Sequence, residues 1–90
     1  MVSKEVTLVN KSGLHARPAS LFVQTAGKFE SEIDIIKGVS RINAKSIMGV
    51  MSASVAKGET ITIEINGDDE TEALKALVEL VESGFGEESR

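Results

Sequence analysis

The chain opens its first predicted helix with the stretch GLHARPAS, residues 13–20, which contains its only histidine. Apolar side chains then recur with the spacing of one buried helical stripe: Ala19, Phe22, Val23 and Ala26. Pro18 falls in the first turn, where its missing N–H costs nothing because first-turn amides lack intrahelical partners. The pattern therefore predicts that His15 lies at or next to the residue that caps this helix.

This position of His15 suits a phosphate site. Unpaired N–H groups and the positive end of the helix dipole favour an anion there, and a neutral imidazole is a nucleophile that can accept a phosphoryl group. A lone histidine near a helix start is also commonly an ordinary surface residue. Spacing alone leaves both interpretations of His15 open.

Apolar periodicity along the rest of the chain predicts four strands and three helices. In chain order these are a strand from Lys4 to Val9, a helix from about Ala16 to Ala26 stopped by Gly27, strands from Glu32 to Ile36 and from about Ser40 to Asn43, a short helix capped by Ser46, a strand from Thr60 to Asn66, and a last helix stopped by Gly84. This β-α-β-β-α-β-α order predicts an α+β fold, a two-layer sandwich with the helices on one face of a mainly antiparallel sheet.

The inward positions follow from the same patterns. On the strands they are Val6, Leu8, Ile33, Ile35, Ile61, Ile63 and Ile65, and on the last helix Ala73, Leu74, Leu77, Leu80 and Val81. Asp69 is predicted to cap the last helix with its carboxylate. The segment from Phe85 to Arg90 is predicted to be a charged tail that is frayed at its end.

Composition narrows the class of protein. Ninety residues with 41% hydrophobic and 27% charged residues predict one globular domain over residues 1–90. The absence of cysteine and a single histidine argue against disulfides and transition-metal sites, and no cofactor is expected. No apolar run is long enough to span a bilayer, so a soluble cytoplasmic protein without membrane contact is expected.

Charge is unevenly distributed along the chain. Residues 68–90 hold eight acids against two bases, a net of −6, whereas residues 1–67 carry a net of +2. The part that contains His15 is therefore predicted to present a locally positive face to an anion or an acidic partner. The net charge of −4 and only three aromatic residues argue against direct nucleic-acid binding.

Two motifs resemble those of a known family. Residues 13–19, GLHARPA, resemble the active-site signature of HPr, the histidine-containing phosphocarrier of the bacterial phosphoenolpyruvate:sugar phosphotransferase system. Residues 45–52, KSIMGVMS, are similar to the serine-phosphorylation segment of that family in its low-GC Gram-positive form. The resemblance covers essentially the whole chain. It implies an open-faced sandwich with sheet order 1-4-2-3 and three helices on one face.

The resemblance also implies a function and partners. His15 would accept phosphate on Nδ1 from phosphorylated enzyme I and pass it to sugar-specific enzyme IIA domains, so the protein would be a carrier and not a stand-alone turnover enzyme. A kinase, with a matching phosphorylase, would modify Ser46, and the modified protein would act as corepressor for a catabolite-control transcription factor. A paralogue with glutamine in place of the histidine is excluded by His15 itself.

Physical chemistry assigns parts to the residues around the two motifs. The backbone amides of Ala16 and Arg17 and the Arg17 guanidinium would hold the phosphate on His15. Ser46 would cap the short helix as well as being modified. The surface that meets partners is expected to comprise Pro18, Ser20, Gln24, Lys45, Ile47, Met48 and Met51. Ile47 and Met51 suit a core position about equally well.

Alternatives to the carrier remain at this point. One is a purely regulatory binding module that works through Ser46 while His15 is idle. Another is a small acylphosphatase-type enzyme, for which the sequence offers no glycine-rich anion loop. A monomer is expected. The sequence names neither the sugars served nor a role for residues 37–41.

Overall fold

Four strands form one antiparallel sheet in the computed structural model, which describes residues 1–86. In chain order the elements are β1 Val2–Thr7, α1 Arg17–Ala26, β2 Glu32–Lys37, β3 Ser40–Asn43, α2 Ile47–Ser52, β4 Thr60–Asn66 and α3 Glu70–Glu82, followed by a single 3₁₀ turn at Gly84–Gly86. The sheet order is β1-β4-β2-β3, and the three helices cover one face. The predicted fold class and strand order are confirmed.

The two faces of the sheet differ in polarity because side chains alternate along each strand. On the central strand β4, Ile61, Ile63 and Ile65 are buried under the helices, and Ile35 of β2 pairs with Ile63. The opposite face is open and polar. There Arg41 donates to Asp34 at 2.9 Å and to Glu64 at 2.6 Å, linking three strands.

Strand β1 begins and ends earlier than predicted, at Val2 and Thr7 instead of Lys4 and Val9. Thr7 pairs with Thr60, the first residue of β4, so no strand residue remains opposite Leu8. Leu8 is still fully buried, as predicted, and its N–H donates to the Glu59 carbonyl at 2.9 Å. The bounds predicted for β3 and β4 are confirmed.

The start of α3 corrects the prediction for Asp69. This residue occupies the N-cap position, but its side chain does not cap the helix. Its carboxylate instead accepts hydrogen bonds from the Glu30 N–H at 2.9 Å, the Ser31 N–H at 3.0 Å and the Ser31 hydroxyl. The Asp69 carboxylate therefore stabilises the loop between α1 and β2, which is distant from it in sequence.

The buried face of α3 also differs in part from the predicted stripe. Ala73, Leu77 and Val81 are buried as predicted, and Val78 joins them. Leu74 and Leu80 are only partly buried at the edge of the core. The helix packs against both β1 and β4, so the face that it buries is wider than one stripe.

The end of α3 confirms one prediction and corrects another. Gly84 follows the helix with a φ of 72°, the left-handed conformation that ends many helices. Phe85, predicted to begin a charged tail, is instead buried in the core. The rest of that predicted tail, residues 87–90, lies outside the described residues. Gly27 also follows its helix, but in the right-handed conformation.

Within residues 1–86, every helix is too short or too polar to cross a membrane.

Candidate functional site

A tight turn before α1 fixes the approach of the chain to His15. The Asn10 side-chain amide donates to the Gly13 carbonyl at 2.8 Å, and the Gly13 N–H donates to the Asn10 carbonyl at 3.2 Å. Leu14 is fully buried, and its N–H donates to the Val55 carbonyl at 2.8 Å. His15 therefore follows a segment held by both hydrogen bonds and burial.

Gly13 is required in this turn for two reasons. Its φ of 61° lies in the left-handed region that favours glycine. A Cβ at this position would also lie 2.8 Å from the Ala56 Cα and in collision with the Val55 carbonyl. The loop between α2 and β4 thus packs directly against the backbone that precedes His15.

The start of α1 is open for an anion. Ala16 occupies the N-cap position, and no side chain caps the helix. Arg17 and Pro18 are the first two helical residues, so the predicted place of the proline is confirmed. Helical N–H groups of the first turn point out of the N-terminal end, toward the side on which His15 precedes the helix.

Ala16 has an unusual backbone conformation, with φ 54° and ψ −124°. Such a positive φ is rare for an L-residue other than glycine, and strained residues of this kind cluster at functional sites. Sequence reasoning missed this feature because alanine carries no signal for a positive φ. The strain is stored beside the histidine.

Both charged or ionisable side chains of the motif face solvent. His15 and Arg17 are exposed, and none of the ion pairs formed among residues 1–86 uses the Arg17 guanidinium. A groove of about 840 Å³ between β3 and α2 is lined in part by Ser46 but by neither His15 nor Arg17. The histidine therefore lies on a surface open to another macromolecule and not in that cavity.

Ser46 caps the N-terminal end of α2, as predicted. Its hydroxyl oxygen accepts a hydrogen bond from the Gly49 N–H at 3.1 Å, which is the N-cap geometry. A Cβ on Gly49 would approach the Ile42 Cγ2 to 3.2 Å, so close packing accounts for this glycine inside a helix. The second motif is thus a short helix set tightly against β3.

The residues predicted to meet partners differ in exposure. Met48 is 75% exposed and Ile47 38% exposed, whereas Met51 is half-buried and packs against the core. Pro18 is buried and offers little surface, and Lys45 donates to the Phe29 carbonyl at 2.6 Å.

On α1, Gln24 is exposed and donates to the half-buried Ser20 hydroxyl at 3.1 Å. Helices α1 and α2 pack against each other, so the two motifs belong to neighbouring elements of the same layer. The exposed members of the predicted surface are therefore Gln24 on α1, Lys45 just before α2, and Ile47 and Met48 on α2.

No group of three or more histidine, cysteine or acidic residues within the described part of the chain is arranged to hold a metal ion. The arrangement at His15 instead offers an imidazole, a free helix N-terminus and a guanidinium, which is a set suited to a phosphate.

Comparison with known proteins gives consistent matches. The family model described as "PTS HPr component phosphorylation site" matches residues 2–83. Phosphocarrier protein HPr of Neisseria meningitidis is 47% identical over 97% of this chain and 98% of its own, and HPr-like protein Crh of Halalkalibacterium halodurans is 52% identical over 91% and 98%.

Solved structures agree with these matches. The crystal structure of HPr-C-His from Thermoanaerobacter tengcongensis superposes with a TM-score of 0.96 at 56% identity, covering 98% of this chain and 99% of that one. A crystal structure of an HPr dimer from the same organism has a TM-score of 0.78 at 55% identity, covering 97% and 100%.

Proposed function

The chain belongs to the HPr phosphocarrier family of the phosphotransferase system, and from this we propose that it carries a phosphoryl group on His15. Phosphorylated enzyme I would be the donor, and sugar-specific enzyme IIA domains would be the acceptors. The observation that carries the proposal is the exposed His15 beside an uncapped helix N-terminus and an exposed Arg17.

The chemistry is a phosphoryl transfer between protein side chains. The lone pair of the neutral His15 imidazole at Nδ1 forms a bond to phosphorus while the bond between phosphorus and the donor breaks. First-turn N–H groups of α1, including that of Arg17, stabilise the charge of the phosphate, and the Arg17 guanidinium binds its oxygens. The amide of Ala16 is assigned the same role. Reversal of these steps delivers the phosphate to the next protein.

The partners are proposed to dock on the helical surface around the histidine. Because His15 is exposed and lies outside the described groove, positioning and electrostatic stabilisation come largely from the partner enzyme. Gln24, Ile47 and Met48 supply exposed polar and apolar contact area. Lys45 adds an exposed cation to that surface, and the half-buried Ser20 and Met51 and the buried Pro18 support it from beneath.

Ser46 is proposed as a regulatory brake on this transfer. Phosphate there adds a charge of nearly −2 on the helix next to α1, which repels an acidic enzyme I surface without unfolding the carrier. A kinase and phosphorylase would control this modification, and the modified protein would serve a catabolite-control transcription factor as corepressor.

A purely regulatory module that acts through Ser46 is the second candidate. The similarity to HPr-like protein Crh is the observation in its favour, because that relative is named as HPr-like and not as a phosphocarrier. His15 and the uncapped helix beside it favour the carrier.

The carrier is further proposed to act in the cytoplasm, as one domain, without a cofactor and as a monomer. A dimer of a relative with 55% identity makes the last point worth measuring. Light scattering on a sizing column at micromolar concentration should give the mass of one 9.6 kDa chain. A mass of two chains would contradict the monomer.

Incubation with phosphoenolpyruvate and enzyme I tests the function directly. The wild type should form an acid-labile, base-stable phosphoprotein, which is the stability expected of a phosphoramidate. His15→Ala should not be labelled, while Ser46→Asn, which keeps an acceptor for the Gly49 N–H, should be labelled normally. A wild type that stays unlabelled, or label that survives in His15→Ala, would contradict the carrier function and favour the regulatory module.

A further inference from the structure

Lys37 has a set of contacts that the sequence patterns do not indicate. It is the last residue of β2, and its ammonium group donates to the Ala53 carbonyl at 3.0 Å and to the Ser54 carbonyl at 3.2 Å. Glu59 lies 3.3 Å from the same nitrogen. The Lys37 side chain is only 31% exposed, so these contacts are partly shielded from water.

The two carbonyls belong to the C-terminal end of α2. Ala53 is the C-cap residue, and Ser54 follows with a φ of 52°, an unfavourable conformation for a residue with a side chain. The last carbonyls of a helix have no intrahelical partner, and α2 has no basic residue of its own in its last turn. Lys37 supplies that missing charge from a neighbouring strand.

Helix α2 depends on such contacts because it is short. It has six residues, of which only Val50 is fully buried, and helices of this length are unstable without tertiary contacts. Its N-terminal end is held by the Ser46 cap on Gly49. The Ser46 cap is the group that the proposed modification alters, whereas the Lys37 contacts are at the opposite end.

Glu59 keeps Lys37 in place. One Glu59 carboxylate oxygen accepts a hydrogen bond from the Ala56 N–H at 2.7 Å, and the other pairs with the Lys37 ammonium. The Ala56 N–H and, after it, the Lys37 ammonium hold the pKa of this carboxyl below its usual value. The lysine, the acid and the loop that follows α2 therefore form one cluster, called here the α2 anchor: Lys37, Ala53, Ser54, Ala56 and Glu59.

We propose that Lys37 is a positioning residue for partner docking. By holding the C-terminal end of α2 through the α2 anchor, it fixes the orientation in which the exposed Ile47 and Met48 meet enzyme I. This role rests on the proposed carrier function. Lys37 touches neither His15 nor the phosphate, so its loss weakens docking and leaves the chemistry of the bound complex intact.

Kinetics of Lys37→Met test the proposal, because methionine keeps much of the side-chain volume and removes the charge. The KM of the carrier for phosphorylation by enzyme I should rise on the order of fivefold with kcat nearly unchanged. Lys37→Arg, which can still reach carbonyl oxygens with a cation, should recover most of the loss. Glu59→Gln, which leaves an acceptor for Ala56 but removes the ion pair, should have an intermediate KM.

Arg41→Met is the matched control. Like Lys37, Arg41 is a cation that is paired with an acidic side chain, and its strand β3 lies next to β2. The partners of Arg41, Asp34 and Glu64, however, lie on the open face of the sheet. Its KM should equal that of the wild type.

Amide hydrogen exchange separates positioning from general stability. In Lys37→Met the amides of Val50 and Ala53, which donate within α2, should exchange roughly tenfold faster while those of α1 and α3 keep their rates. An unchanged KM, or the same acceleration in all three helices, would overturn the positioning role. A wild type that enzyme I does not phosphorylate would instead remove the carrier function itself, and the exchange pattern would still report whether the α2 anchor holds the helix.

Discussion

The exposed guanidinium of Arg17 is available to bind phosphate. It begins α1, it faces solvent, and no ion pair within residues 1–86 engages its guanidinium. A planar guanidinium binds two phosphate oxygens at once, which an ammonium does not. Loss of the guanidinium should therefore slow phosphoryl transfer without reducing the stability of the fold.

Arg17→Lys should lower kcat/KM for phosphorylation by enzyme I roughly tenfold, while the melting temperature stays within about one degree. Steady-state phosphotransfer and a thermal melt measure the two effects. Arg41→Lys is the control, because Arg41 lies on the open face of the sheet. Transfer at the wild-type rate in Arg17→Lys would show that the arginine is incidental.

Asp69 has a structural role that gives stability a pH dependence. The Ser31 hydroxyl and then the Glu30 N–H donate to its carboxylate and hold its pKa below the usual value. Because the folded-state pKa is lowered, the unfolded chain binds more protons in acid. The stabilisation is present above the unfolded pKa of about 4 and is lost as the pH falls through the folded pKa.

Asp69→Asn should melt several degrees below the wild type at pH 7, and the gap should shrink as the pH falls below about 4. Thermal melts followed by circular dichroism from pH 7 to pH 2 measure this. Asp68→Asn, at the exposed neighbouring residue, should follow the wild-type curve. A gap of constant size at every pH would contradict the role assigned to the ionised carboxylate. Glu59 and Glu70 also have lowered pKa values, so some acid sensitivity should remain in the variant.

At the scale of elements, the turn before α1 depends on its contact with the loop that follows α2. Gly13 and Gly38 both have a φ of 61°, but their surroundings differ. A Cβ on Gly13 would meet the backbone of Val55 and Ala56, whereas one on Gly38 would have no neighbour within 4 Å. The pair separates the cost of a left-handed residue from the cost of a collision.

Gly13→Ala should lower the free energy of unfolding by about 2–4 kcal/mol, because backbone atoms on both sides would have to shift. Gly38→Ala should cost only about 1 kcal/mol, the penalty of the left-handed conformation. Urea denaturation measures both. Gly13→Ala should also slow phosphorylation of His15, since the displaced loop leads directly to it. Equal losses of stability in the two variants would refute the packing argument.

At the scale of the whole molecule, charge is separated along the chain, with a net of +2 over residues 1–67 and −6 over residues 68–90. The proposed brake at Ser46 adds negative charge to the positive portion. Electrostatic repulsion between this charge and an acidic surface of enzyme I slows the association of the two proteins, and salt screens it. Stability is affected little, because an acid at an N-cap still accepts the Gly49 N–H.

Ser46→Asp should slow phosphorylation by enzyme I roughly tenfold at low salt, with the deficit shrinking as ionic strength rises. Its melting temperature should remain near that of the wild type. Ser46→Asn, a neutral N-cap of the same shape, should transfer at close to the wild-type rate. A salt-independent deficit shared by both variants would mean that steric disturbance of α2, and not charge, slows the transfer.

Much of the fold could be predicted because the informative interactions are local. The alternating isoleucines of β4 and the helical stripe of α1 report their own buried faces, and the Ser46 cap acts three residues along the chain. The predictions that failed depend on distant partners. The first strand was predicted to continue to Val9, but it ends at Thr7 because no strand residue lies opposite Leu8. Phe85 was predicted to begin a charged tail, but it is buried in the core.

The amino-acid sequence by itself determined the α+β class and the histidine at a helix start, because periodicity and the positions of glycine and proline are properties of neighbouring residues. Its two motifs determined the family through their resemblance, and that resemblance in turn implied the strand order. Only the tertiary structure decided which groups satisfy each charge and carbonyl. Asp69 serves Ser31 instead of its own helix, and Lys37 of β2 serves the end of α2. These hydrogen-bonding partners depend on how the sheet and helices pack, so no local sequence pattern predicts them.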